Sequence, residues 1–215
     1  MLKKYLKIFI PTGIALAIIL FLILFFNIPR VTYKYVEEYD GYFVNNVYGN
    51  ASTYEIKNEH KGKEVVGIST RAFFKKNKLK SISLPENIKI IDRLAFSECK
   101  NLERINLENV NTIYRNAFSY CNSLKDLNIG AEYIGASAFY KCENLKNVTL
   151  TNTLSIGSMA FSETKIKNII LPKSVIEVGS DCFYNCFLLE NISVYGNNLK
   201  DNVYLKTLNI VTYIS

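Results

Sequence analysis

Cysteine is the residue best equipped to do chemistry in this chain, and it recurs on a schedule. Cys99, Cys121, Cys142 and Cys186 stand at one position of a repeat of about 22 residues. Stacked β-strands lie about 5 Å apart, inside the Cα range of a disulfide. Bridges such as Cys99–Cys121 or Cys121–Cys142 are therefore open, as is a column of buried, unpaired thiols acting as small hydrophobes. The odd total of five, with Cys182 off the column, favours the unpaired column. A zinc site on Cys182-x-x-x-Cys186 lacks a second ligand pair. His60 is the single histidine, set among Asn58, Glu59, Lys61 and Gly62 in loop-forming sequence, with no nucleophile to serve. No phosphate loop, dinucleotide glycine pattern, H-E-x-x-H or G-x-S-x-G occurs. The carboxylates are scattered, mostly at turns. The expectation is a non-enzyme with no catalytic residue, no metal and no cofactor.

What positions the cysteines is the repeat itself. A small residue precedes phenylalanine at Ala72-Phe73, Ala95-Phe96, Ala117-Phe118, Ala138-Phe139, Ala160-Phe161 and Cys182-Phe183. The phenylalanines are 23, 22, 21, 22 and 22 residues apart. Three residues on come Lys76, Cys99, Cys121, Cys142, Thr164 or Cys186; six on comes leucine, except in the fifth repeat, which is one residue short and uses Ile166. An alternating run follows, with apolar pairs Ile82/Leu84, Ile105/Leu107, Leu127/Ile129, Val148/Leu150, Ile169/Leu171 and Ile192/Val194. Period-two alternation predicts half-buried strands, and their constant spacing predicts a parallel stacked sheet. The Ala-Phe stretch reads as a return segment of one or two helical turns, or irregular. The expected fold class is thus an α/β repeat solenoid: a parallel sheet with short helical or irregular returns.

The run Ile91-Asp92-Arg93-Leu94-Ala95-Phe96-Ser97-Glu98-Cys99-Lys100-Asn101-Leu102-Glu103-Arg104-Ile105-Asn106-Leu107 resembles the leucine-rich repeats of BspA-like surface proteins. The resemblance covers about residues 50 to 195. It implies extracytoplasmic display and adhesion or other protein recognition, here by a short, membrane-anchored member.

Residues Ile8 to Pro29 carry no charge and are mostly Ile, Leu, Phe and Ala. About 20 helical residues cross a hydrocarbon core of roughly 30 Å. The run ends in Phe25-Phe26-Asn27-Ile28-Pro29-Arg30 with no small-residue cleavage site, which favours an uncleaved signal anchor over a cleaved signal peptide. Lys3, Lys4 and Lys7 favour a cytoplasmic N-terminus and an extracytoplasmic or cell-surface repeat domain. The expected organisation is an N-tail (1–7), a transmembrane signal anchor (8–29), a linker (30–40), an N-terminal cap (41–68) that includes a hairpin over 41–57, about six repeats (69–196) and a C-terminal cap (197–215).

The net charge is +7. Lys3, Lys4, Lys7 and Arg30 account for four of the 26 basic residues, leaving 22 against 19 acidic ones with no concentrated stripe. Nucleic-acid binding is excluded on that pattern. The expected partners are the lipid bilayer, through residues 8–29, and a protein or surface glycan. The second would meet the outward face of the predicted sheet: Ser83, Arg104, Asn106, Asp126, Asn128, Thr149, Asn168, Ile170 and Ser193. The alternative is a structural or assembly subunit packing against another membrane protein.

Overall fold

A computed structural model describes residues 16–18, 20, 28–196, 198–199 and 201–214. Among them the chain is a β-solenoid of about 8 turns with almost no helix. This corrects the expected α/β class. The residues expected to form short helical or irregular returns form tight turns, and the most continuous sheet runs along a different side of the coil from the one predicted.

That sheet begins with a hairpin, β1 (Arg30–Val36) against β2 (Gly41–Tyr48). Glu37–Tyr39 make one 3-10 turn between them, and Asp40 closes it in the left-handed region at φ 43°. Residues 30–40, read as a linker from sequence, thus supply an edge strand and its turn. Residues 49–57, the second half of the expected hairpin, form no strand. The sheet continues in parallel from β2 through β4 (Lys63–Ile68), β6 (Ile90–Ile91), β8 (Thr112–Ile113), β10 (Tyr133–Ile134), β12 (Ser155–Ile156) and β14 (Glu177–Val178). The short β3 (Glu59–His60) pairs with β4.

The strands predicted from the alternating run do form, but in three separate sheets. These are β5 (Ser81–Ile82) with β7 (Arg104–Ile105), β9 (Asp126–Ile129) with β11 (Asn147–Leu150), and β13 (Asn168–Leu171) with β15 (Asn191–Tyr195) and β16 (Val211–Ile214). A single bridge, Leu107 to Ile129, links the first two. The break after β11 coincides with the repeat that lacks a residue: Lys165 N–H reaches the Leu145 carbonyl, and the register set by the other coils is lost there.

The third side explains the missing helix. Each repeat places two non-glycine residues in the left-handed region, one before the Ala and one two places after the Phe. They are Arg71 and Lys75, Leu94 and Glu98, Asn116 and Tyr120, Ser137 and Lys141, Met159 and Glu163, Asp181 and Asn185. A left-handed residue every few positions forbids helix propagation, and each costs about 1–2 kcal/mol. The gain is a ladder. Arg71, Phe73 and Lys75 donate their N–H groups to the carbonyls of Arg93, Ala95 and Ser97 in the next coil at 3.1, 2.8 and 3.0 Å. The pattern repeats up to Met159, Phe161 and Glu163.

Inside the coil the phenylalanines stack. Ring centroids are 4.7 Å apart for Phe73–Phe96, 5.2 Å for Phe96–Phe118 and Phe118–Phe139, 5.3 Å for Phe139–Phe161 and 6.0 Å for Phe161–Phe183. Tyr54 meets the first ring edge-on at 5.8 Å and closes that end. The last coil closes the other. The Tyr204 hydroxyl accepts the Phe183 N–H at 3.0 Å, Asn202 donates to the Val178 carbonyl at 2.8 Å, and β16 covers β15.

Coil spacing is tightest where glycine recurs. A Cβ on Gly157 would lie 2.4 Å from the Ala136 nitrogen and 2.7 Å from the Gly135 carbonyl carbon, both backbone. Gly157→Ala should therefore destabilise the fold by about 1–3 kcal/mol, since neither backbone atom can swing aside. Urea unfolding checks this, and an unchanged midpoint would mean the coils separate freely.

No helix among the described residues is long and apolar enough to cross a membrane. The expected single-pass anchor over residues 8–29, and the localisation built on it, are corrected accordingly. Most of that segment lies outside the described residues; Leu16, Ile18 and Leu20 within it are exposed.

Candidate functional site

The nine residues expected on the outward face divide into two groups. Ser83, Arg104, Asn106 and Asp126 line one groove of the first sheet pair, together with Thr53 and Glu108. Asn128 and Thr149 lie on β9 and β11, before the break, and Asn168, Ile170 and Ser193 on β13 and β15, beyond it. Register places Asn128 beside Thr149, and Ile170 beside Ser193.

Not all nine are free to meet a partner. Asn106 is half-buried and stitches two coils: its Oδ1 accepts the Leu84 N–H at 2.7 Å and its Nδ2 donates to the Leu84 carbonyl at 2.9 Å. The β5–β7 ladder has only two residue pairs, so this side chain extends it. Asp126 accepts from Asn147 Nδ2 at 2.5 Å, and Ser193, half-buried, accepts from Asn191 Nδ2 at 2.8 Å. Arg104 approaches Glu103 at 3.9 Å, with both side chains exposed, a contact of little energetic weight. Asn128, Thr149, Asn168 and Ile170 are exposed. Ile170 is 54% exposed in an otherwise polar column.

The cysteine column is internal. Cys99, Cys121, Cys142 and Cys186 are buried free thiols, each donating to the carbonyl of a phenylalanine one coil earlier: Phe73, Phe96, Phe118 and Phe161, at 3.0 to 3.2 Å. Thr164 holds the same place in the fifth repeat and donates to Phe161 at 2.9 Å. Lys76 opens the column; its ammonium reaches the Gly49 carbonyl at 2.9 Å, and burial lowers its pKa. Burial pushes the Cys99 and Cys142 thiols up to about 12 and raises Cys121 and Cys186 as well. Thiols held protonated are poor nucleophiles and poor metal ligands. Among the described residues no three His, Cys, Asp or Glu side chains group to hold a metal. His60 stacks on Tyr33 at 4.7 Å and meets Tyr42 edge-on at 4.7 Å, a packing role in the N-terminal hairpin.

Sequence reasoning passed over two sets of exposed residues. One is apolar: Tyr184, Phe187 and Leu188 in the last coil, with Phe187 87% exposed. The other is a cavity of about 340 Å³ where the long sheet meets the turn ladder, lined by Thr70, Arg71, Arg93, Leu94, Arg115 and Asn116. Its signal was the placement of three of only five arginines in a chain with 21 lysines.

Stacked coils with a phenylalanine ladder, a buried leucine position and an exposed strand face define a leucine-rich-repeat module. The chain belongs to the BspA-type leucine-rich repeat family, with six copies matched over residues 45–155 and 127–214. It is similar to the crystal structure of a leucine-rich cell surface protein from Faecalibacterium prausnitzii, at 23% identity and TM-score 0.57 over 76% of this chain and 52% of that one. It is similar to the T. pallidum leucine-rich repeat protein at 27% identity and TM-score 0.57, over 77% of this chain and 68% of that one. The pneumococcal vaccine antigen PcpA matches at 23% identity and TM-score 0.56, over 80% of this chain and 49% of that one. The chain thus spans about half the length of two of these proteins. No curated protein matches it.

Proposed function

We infer that this chain is a non-catalytic recognition module that binds a protein through the outer face of β9, β11, β13 and β15. The observation that carries the reading is Ile170, a large aliphatic side chain 54% exposed on β13, in register with the polar Ser193 of β15. Asn128, Thr149 and Asn168 contribute exposed amides and a hydroxyl to the same outward side, and Tyr195 adds an aromatic edge at 42% exposure. An apolar anchor ringed by polar groups is the usual anatomy of a protein contact. A solenoid repeats that geometry coil by coil into a surface wide enough for a partner. Membership of a family that includes surface proteins supports the same reading. Arg104, Asp126 and Ser83 then form the border of the contact, and Asn106 and Ser193 hold its frame.

The test is a photo-crosslinking side chain placed in turn at positions 170, 128 and 158 in the protein's native cells. Adducts of one defined mass from 170 and 128, absent from Ser158 on another side of the coil, are expected. Ile170→Asp with Asn128→Lys should remove the adduct formed from position 149 without moving the melting temperature, because both residues are exposed. Equal adducts from all three positions, or none from 170, would discard this face.

A further inference from the structure

We propose that the corner between the long sheet and the turn ladder, over the first three coils, binds an acidic polysaccharide. This site lies on a different side of the coil from the Ile170 face and does not depend on it.

The starting point is a comparison the molecule makes with itself. The three residues that turn the chain from the long sheet into the ladder read Ser69-Thr70-Arg71, Asp92-Arg93-Leu94 and Tyr114-Arg115-Asn116 in the first three coils. In the last three they read Gly135-Ala136-Ser137, Gly157-Ser158-Met159 and Gly179-Ser180-Asp181. The backbone hydrogen bonds are the same in both halves: Asp92 and Gly157 both donate to the preceding coil, and Leu94 and Met159 both donate to the following one. The fold therefore accepts small residues here. Only the first half carries arginine and an aromatic ring at these turns; the second half has serines and a single carboxylate, Asp181.

Arg71, Arg93 and Arg115 are exposed, and their side chains line the cavity. Arginine presents a planar fork that pairs with oxyanions two bonds at a time; lysine does not. Asp92 is the acid beside Arg93, and it is occupied. It accepts the Thr70 hydroxyl at 2.5 Å and the Arg93 N–H at 2.6 Å, and meets the Arg93 guanidinium only at 3.9 Å. Arg71 lies over the Phe74 ring at 5.6 Å, which leaves its fork edge open.

A second recess adjoins the first, and Thr70 lines both. Its lining includes Tyr39 and Tyr114, the polar Asn45 and Ser69, and the charged Lys34 and Glu38. Over the two recesses the charges are Lys34, Arg71, Arg93 and Arg115 against Asp92 and Glu38, a surplus of two positive.

These features fix the ligand class. Adjacent coils are about 4.8 Å apart, so the backbone positions of arginines in three successive coils span about 10 Å, more than one oxyanion bridges. The ligand carries at least two. Aromatic rings beside hydroxyl and amide groups suit a sugar, whose C–H face packs on a ring while its hydroxyls hydrogen-bond. A nucleic acid would want a longer basic stripe than three arginines supply. A polymer of uronic acids or sulfated sugars meets every requirement.

The full-length chain is titrated calorimetrically, at physiological ionic strength, with oligogalacturonate, a heparin-type oligosaccharide, neutral dextran, inorganic sulfate and a single-stranded oligonucleotide. Binding of the uronate or the sulfated oligomer is expected, and which one binds names the oxyanion. Arg93→Lys with Arg115→Lys keeps both charges and should weaken it at least about tenfold. In nuclear magnetic resonance spectra the side-chain Nε–H signals of Arg71, Arg93 and Arg115 should move and that of Arg104 should not. The proposal is overturned by binding of neither acidic oligomer, by equal affinity for dextran, sulfate or the oligonucleotide, by full affinity in the lysine variant, or by an equal shift at Arg104.

Discussion

Phe139→Ala should lower the melting temperature by about 10 °C. Phe139 is fully buried, and its ring stacks on Phe118 at 5.2 Å and on Phe161 at 5.3 Å, both within 1° of parallel. Removing a buried phenylalanine costs about 3–5 kcal/mol, and a chain of this size loses about 2–4 °C for each. The site cannot collapse to fill the void, because inter-coil hydrogen bonds hold the backbone on either side: Phe118 N–H to the Ala138 carbonyl and Phe139 N–H to the Ala160 carbonyl, both 2.8 Å. In a solenoid each coil is stabilised chiefly by its neighbours, so a void in the middle weakens two interfaces. Phe183→Ala should cost less. Its ring has one stacked partner, at 6.0 Å, and the ring itself is slightly exposed. Circular dichroism melts of the two variants give the ordering. A larger loss at Phe183 than at Phe139 would mean that the end coil, rather than the ladder, limits stability.

What the repeat displayed in sequence, and what it hid, follows from what kind of signal each feature leaves. Positions that face the interior must be apolar in every coil, so the Ala-Phe pair, the cysteine place and the Ile-x-Leu pairs could be found by counting, and the family with them. The turn conformation left no such trace. Left-handed backbone is usually announced by glycine or asparagine, yet here it is adopted by Arg71, Leu94, Ser137, Met159 and Asp181 as well as Asn116. What holds them there is hydrogen bonding to the next coil, a property of the stack rather than of the residue. Spacing alone predicts short helical or irregular returns, and spacing cannot separate a helical turn from a ladder of this kind. The long sheet was hidden for a related reason. Its strands are only two residues long in most coils, too short to show alternation, whereas the longer Ile-x-Leu runs drew attention to sheets that are in fact interrupted. Of the outward-facing candidates, alternation correctly separated exposed from buried positions at Asn128, Thr149, Asn168 and Ile170. It had no means of seeing that Asn106 spends both ends of its amide on Leu84.

The molecule is also divided along its axis, and the division bears on function. The first three coils hold the arginine corner, while the last three place Gly135, Gly157 and Gly179 at the equivalent turn. The exposed Ile170, Phe187 and Leu188 belong to that second half. One solenoid thereby offers a cationic, hydroxyl-rich surface near its start and an apolar one near its end. Two ligands of different chemistry could be held at once, because the surfaces share no side chain.

Stability should fall steeply above about pH 9, and the buried thiols are the reason. An unfolded cysteine ionises near pH 8.5, whereas burial holds Cys99 and Cys142 protonated up to about 12. Between those limits the unfolded chain has released a proton that the folded chain retains, so unfolding is favoured as pH rises. The contribution is complete below the unfolded value and is lost as pH climbs toward the folded one. Each such thiol removes about 1.4 kcal/mol per pH unit, so the pair removes about 3. Two units of pH would then consume about 6 kcal/mol, comparable to the whole stability of many domains. Cys121 and Cys186, raised by the same cause, steepen the decline. Tyr204, half-buried at the C-terminal cap and pushed up to about 12 by desolvation, adds to it in the upper part of the range. Urea midpoints at pH 8, 9, 10 and 11 measure the slope. Cys99→Ala with Cys142→Ala separates the thiols from the lysines and exposed tyrosines that also titrate there: the double variant should be less stable at pH 8, having lost two buried contacts, yet decline more gently. If its midpoint falls with pH as fast as the parent's, the thiols are not what fails, and the alkaline limit belongs to the surface charges instead.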